Sequence, residues 1–79
     1  MKRLIFRDGE NFDVCGDLCS IKKYKLDGTA IQFWIEHSEL DGYTAYVYCG
    51  NALVEVREWI ANTSSLKDVL SDLMKKYGG

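Results

Sequence analysis

Two segments of this chain read as β-strands that are apolar on both faces, and that limits what the chain can fold into. In Ala30-Ile31-Gln32-Phe33-Trp34-Ile35-Glu36 one alternating set is Ile31, Phe33 and Ile35. In Tyr43-Thr44-Ala45-Tyr46-Val47-Tyr48-Cys49 the corresponding set is Ala45, Val47 and Cys49. The opposite sets carry Trp34, Tyr46 and Tyr48. A half-buried antiparallel strand normally alternates apolar with polar. A small chain with this pattern therefore has either a covered second face or an aromatic patch left for a partner.

Turn signals cut the rest of the chain into short pieces. Asp27-Gly28 and Gly50-Asn51 are hairpin dipeptides, and Asp8-Gly9 is a further turn signal. They predict a short strand over Arg3 to Arg7, a second strand or a loop over Glu10 to Gly16, and a strand over Leu18 to Leu26. Strands 30–36 and 43–49 follow. The segment Ala52 to Ile60 fits a helix with Leu53, Val56, Arg57 and Ile60 on one face, and it also fits a strand. The preceding turn and Val54 and Val56 favour the strand.

The C-terminal pattern is helical. Ser64 or Ser65 is the candidate N-cap, and Ser65 with Asp68 resembles a capping box. Leu66, Val69, Leu70, Leu73, Met74 and Tyr77 recur at three- and four-residue steps, giving one apolar stripe. Lys75 and Lys76 suit the negative end of the helix, and Gly78 suits its C-terminal boundary. The expected fold class is α+β: a small, mostly antiparallel β-sheet, a meander of about three to five strands, with one C-terminal α-helix packed on one face. With 79 residues the expectation is a single domain over 1–79. A domain of this size buries only about 60% of its unfolded surface.

Hairpin registers sharpen the two-face argument. A two-residue loop at Gly50-Asn51 sets Cys49 opposite Ala52, Val47 opposite Val54 and Ala45 opposite Val56. If His37 lies opposite Tyr43, then Ile35, Phe33 and Ile31 face Ala45, Val47 and Cys49. One face is then apolar throughout and seats the helix. The other carries Trp34 beside Tyr46, with Tyr48 and Leu53 as neighbours and Glu36, Glu55 and Arg57 at its border. A slip of one residue would exchange the faces. The N-terminal segment, with Leu4, Phe6 and Phe12, is an alternative cover for the aromatic face.

Little in the chain points to catalysis. His37 is the only histidine, at a strand end, and on an extended strand Ser38 would point away from it. There is no nucleophile elbow, phosphate-binding Gly-rich loop, dinucleotide fingerprint or metalloprotease helix. Cys15 and Cys19 with Cys49 and His37 would make a Cys3His zinc set. His37 and Cys49, however, lie at opposite ends of one hairpin, roughly 20 Å apart along the strand. The thiols are expected as two loop cysteines and one small core residue, so no metal and no cofactor are expected. Asp8, Glu10, Asp13 and Asp17 do not have the spacing of a calcium-binding loop.

Net charge is −2, which disfavours a general nucleic-acid binder. Bases could stack on Trp34, Tyr46 and Tyr48 with phosphates on Lys22, Lys23 and Lys25, but Glu36, Glu55 and Glu58 near that face would repel a backbone. Leu4-Ile5-Phe6 is too short an apolar run for a signal peptide or a membrane span, and an odd number of cysteines suggests reduced thiols in a cytoplasm. The reading is a non-enzymatic protein-binding module. Its candidate binding residues are Trp34, Tyr46, Tyr48, Leu53, Arg57 and Trp59, which include the residue types enriched at interface hot spots. The expected partner is another protein or, in a homodimer, a second copy of the chain. By size and composition alone the chain is of the sort common among inhibitors carried by phages and other mobile elements, anti-CRISPR proteins included, and no motif ties it to them.

Overall fold

The computed structural model describes residues 2–60 and 65–78. Strands β1 (Leu4–Val14), β2 (Asp17–Leu26), β3 (Ile31–Ser38), β4 (Gly42–Cys49) and β5 (Ala52–Trp59) precede helix α1 (Leu66–Tyr77). The strands form one sheet in the order β1-β2-β3-β4-β5, with every neighbouring pair antiparallel. The fold is therefore the expected α+β meander with its C-terminal helix on one face. Ala52–Trp59 is a strand, as the valines and the turn before it favoured. No described helix is long and apolar enough to cross a membrane.

The N-terminal third departs from expectation. Asp8-Gly9 is not a turn, because β1 runs through it to Val14 and absorbs an irregularity between Phe6 and Asp8. The chain reverses instead at Cys15-Gly16, where both residues have positive φ (53° and 87°) and Val14 faces Asp17. Two left-handed residues in succession are the I′ requirement that matches the twist of paired strands. Gly16 meets it at no steric cost; Cys15, which has a Cβ, does so under strain. Asp27-Gly28 does turn the chain, but within a longer connection between Leu26 and Ile31. There the Leu26 carbonyl accepts from the Thr29 N–H at 3.2 Å and from its hydroxyl at 2.8 Å.

Helix α1 starts as its sequence dictates. Ser65 is the N-cap, with the Asp68 N–H donating to its hydroxyl at 3.3 Å and its own N–H donating to the Asp68 carboxylate at 3.1 Å. That reciprocal pair satisfies two of the donors a helix start leaves open. The alternative cap, Ser64, lies outside the described residues. Val69 and Leu73 are fully buried. They meet Tyr24, Phe33, Ile35, Ala45 and Val47 from three successive strands, with Leu66, Leu70, Met74 and Tyr77 packed around them. Each buried aliphatic or Phe side chain contributes about 1.5 to 3 kcal/mol. The centre of the sheet is thus the seat of most of the stability.

Registers β3–β4 and the start of β4–β5 are as expected: His37 faces Tyr43, Phe33 faces Val47, and Cys49 faces Ala52. Beyond that the β5 register is corrected. Tyr48 faces Leu53 but Val47 faces Glu55 and Ala45 faces Arg57, with Val54 as an extra residue between. A bulge of one residue exchanges the faces of everything after it. Val56, expected in the core, lies opposite Tyr46 and is 49% exposed. Glu55, Arg57 and Trp59 move to the helix side.

Candidate functional site

Antiparallel pairing sorts the uncovered face into cross-strand rows. One row runs Asp8, Lys23, Trp34, Tyr46, Val56. The row on its loop side is Glu10, Ile21, Glu36, Thr44, Glu58, and the row on its other side contains Ile5, Lys25, Gln32, Tyr48 and Leu53. Helix α1 lies on the opposite face, and β1 extends the sheet in its own plane rather than folding over it. The N-terminal segment is accordingly not the cover that Leu4, Phe6 and Phe12 suggested.

Four of the six expected binding residues are brought together here. Trp34 and Tyr48 have ring centroids 4.8 Å apart, Tyr46 is the direct cross-strand neighbour of Trp34, and Leu53 faces Tyr48. Lys23 places its ammonium 4.4 Å from the Trp34 ring centroid, a cation–π contact worth about 0.5 to 1 kcal/mol at an exposed site. The Trp34 indole N–H donates to Gln32 at 3.3 Å. Burial, with Glu36 nearby, pushes the Tyr46 phenol up from its ordinary value, so it is a neutral hydroxyl at pH 7.

Arg57 and Trp59 do not belong to this face. The bulge at Val54 turns both toward α1, where the Trp59 indole N–H donates to Asp72 at 3.0 Å and the Arg57 guanidinium lies 5.0 Å from the Trp59 ring centroid. Glu55, expected at the border of the aromatic face, instead accepts from the Lys76 ammonium at 2.9 Å and from the Tyr77 hydroxyl. Val56 and Ile21 take part in the open face and were not expected there. Ile21 was legible in principle, since it alternates with Lys23, but Val56 was not, because its direction depends on the bulge.

The electrostatics of the face are divided. Lys23 and Lys25 lie on the β2 side of the aromatic rings, while Lys22, one residue out of phase, faces the helix side opposite Ile35. Glu36 and Glu58 flank a groove of about 600 Å³ whose floor includes Tyr46 and Val56. A second depression of about 550 Å³, near the β1–β2 turn, is lined by Phe12, Leu18, Cys19 and His37 among others.

The latter holds no nucleophile and base in working geometry. His37 is stacked on Tyr43 at 4.3 Å between centroids, and the Ser38 hydroxyl donates to Asp17. Partial burial and the Asp17 carboxylate push the Cys19 thiol up, the wrong direction for a thiolate nucleophile. The cysteine placement also differs from expectation: Cys19 is half-buried within β2, and Cys49 is exposed rather than in the core. Among the described residues no three His, Cys, Asp or Glu side chains are grouped as metal ligands.

The class this geometry defines is a five-stranded antiparallel meander with one helix and one open aromatic face. Comparison of the chain with protein-family models, with curated proteins and with solved structures finds no match.

Proposed function

We propose that the chain is a non-enzymatic protein-binding module whose contact surface is the open face. The observation that carries this is the one-sided cover. The single helix takes the Phe33 and Val47 face, and leaves Trp34, Tyr46 and Tyr48 adjoining one another on the other. Contiguous apolar patches on a small protein mark interaction surfaces, and Trp and Tyr dominate interface hot spots. The charge division specifies the partner's chemistry. A Lys or Arg side chain fits the groove over Tyr46 between Glu36 and Glu58, with apolar groups alongside on Trp34, Tyr48 and Leu53. A phosphate backbone is a poorer fit, because Glu10, Glu36 and Glu58 form a row beside the stacking surface and nucleic-acid affinity rests on neutralising phosphates.

The test is peptide selection by display, followed by measured affinities. Selected peptides should combine a basic residue with an apolar one. Trp34→Ser should weaken them by about 30-fold or more, the equivalent of a 2 kcal/mol hot spot. It should leave the melting transition nearly unchanged, since surface substitutions usually move stability by less than about 0.5 kcal/mol. Phe33→Ser, adjacent in sequence but aimed into the core, should instead destabilise the fold. If both variants unfold alike, or selected peptides bind Trp34→Ser as well as the parent, the open face is not the contact surface. Submicromolar, salt-sensitive binding of oligothymidine or oligouridine near physiological salt would put a single-stranded nucleic acid in the protein's place.

A further inference from the structure

Strand β5 is an edge strand, with β4 on one side only, and its residue order is self-complementary. We propose that two copies of this chain pair through their β5 edges as an antiparallel, two-fold symmetric dimer centred on Val56. This inference does not rest on the open-face reading.

Symmetry restricts the choices. In a two-fold antiparallel pair the axis passes between a residue and its own copy, so one residue must face itself and the rest follow by reflection. Centring on Glu55, Arg57 or Glu58 sets like charges directly opposite, which is destabilising. Val54 is the bulged position, and its irregular backbone makes a poor axis. Centring on Val56 instead sets Val56 against Val56 and Glu55 against the second copy's Arg57, and this last pairing occurs twice. Both members of the charged pair lie on the helix side of the strand, because Glu55 faces Val47 and Arg57 faces Ala45.

The side chains are placed for it. Glu55 uses Oε1 for Lys76 and Tyr77, while its Oε2 has its own chain's Arg57 Nε only at 4.0 Å, the outer limit of an ion pair. The Arg57 side chain is 36% exposed and presents five donors on a planar fork, so it can take a carboxylate from outside. On the open side, the row Trp34, Tyr46, Val56 would run on through the second copy's Val56, Tyr46 and Trp34. Two separate aromatic patches would thus become one across a ten-stranded sheet. The open N–H and C=O groups of the edge would also be paired, which removes the hazard of an exposed strand.

The experiment is sedimentation equilibrium of the full chain from about 1 to 200 µM, with circular dichroism as the check on folding. The parent should fit a monomer–dimer equilibrium in that range. Val56→Lys and Val56→Glu should each be folded monomers, since Val56 is half exposed and each variant sets like charges across the axis. An equimolar mixture of the two should recover a heterodimer, because Lys then faces Glu. Arg57→Glu should also be monomeric, with four carboxylates brought to the interface, and Trp34→Ser should still dimerise. A parent monomeric at 200 µM overturns the proposal, as does a Val56→Lys protein that dimerises as well as the parent. Failure of the mixed variants to associate, or loss of the dimer in Trp34→Ser alone, places any association elsewhere than the β5 edge. None of these outcomes depends on whether a peptide binds the open face.

Discussion

Glu55 is the residue on which helix and sheet converge. Its carboxylate accepts from Tyr77 and Lys76 on α1, and those hydrogen bonds hold it below its ordinary value of 4.5. A depressed carboxylate contributes stability that is full above the unfolded value and is lost as pH falls through the lower folded-state value. Tyr77 works in the other direction: burial, then the Glu55 bond, pushes its phenol above 10.0. Its contribution is full below 10.0 and is lost as pH rises through the higher folded-state value. Thermal melts across pH should therefore show a plateau bounded by an acid and an alkaline limb. Glu55→Gln should shrink the acid limb, leaving the part due to Asp68, which its capping bonds also hold low. Tyr77→Phe should shrink the alkaline limb, leaving the parts due to Tyr24 and Tyr46, both raised by burial. Limbs unchanged in both variants would mean that this contact is not made in solution. Burial also grades the helix stripe. Leu73 is fully enclosed and Leu70 only half buried, so Leu73→Ala should cost about 2 to 5 kcal/mol and Leu70→Ala measurably less. Equal chemical-denaturation midpoints for the two would put the helix at a different rotation on the sheet.

Strand β5 shows what can be read from residue order at the scale of an element and what cannot. Its existence was legible from Gly50-Asn51 and from the valines. So were the helix with its Ser65 cap, the pairing of His37 with Tyr43, and the grouping of Trp34, Tyr46 and Tyr48. Each rests on a local rule: turn chemistry, a period of two, or a period near 3.6. The bulge at Val54 follows no such rule. With Val54 and Val56 both apolar, simple alternation aims them at the core, and only tertiary contacts reverse the result, namely Glu55 with Tyr77 and Trp59 with Asp72. Asp8-Gly9 misled for a related reason, since a dipeptide that favours turns is also tolerated beside a bulge. The β5 geometry makes a sharp prediction. Deleting Val54 leaves Leu53 opposite Tyr48 and Glu55 opposite Val47, so the protein should keep a cooperative melt and its Trp59 environment. Deleting Val56 would turn Arg57 and Trp59 to the open face, remove the Trp59–Asp72 bond and abolish the transition. Trp fluorescence with thermal melting reads both, and equal damage from the two deletions would mean that Val54 is a required part of the ladder.

The whole molecule is unevenly supported along its 38 Å length. Helix α1 lies over the middle strands, where Phe33, Ile35, Ala45 and Val47 are almost wholly shielded. The β1–β2 hairpin reaches past that cover. Strand β2 pairs with β3 only from Cys19 to Lys25, so Asp13, Val14, Asp17 and Leu18 have sheet partners only in each other. Val14 and Leu18 are exposed there, and an isolated two-stranded ribbon is marginal in water. Opening that tip breaks few buried apolar contacts, whereas opening β3 or β4 dismantles the core. Amide hydrogen exchange should therefore be graded. The amides of β3 and β4 around Phe33, Ile35 and Val47 should exchange only with global unfolding and share its denaturant dependence. Those of residues 13–18 should exchange orders of magnitude faster, with almost no denaturant dependence, because their opening exposes little surface. The β5 amides separate the two levels further. In dilute protein the outward-facing ones should exchange quickly. Raising the concentration through the proposed dimer range should slow them selectively, while the hairpin tip stays fast. Uniform protection from tip to core would show that something besides the hairpin's own ladder covers the distal ribbon, and slowing of the tip rather than of β5 would move the site of self-association to that end.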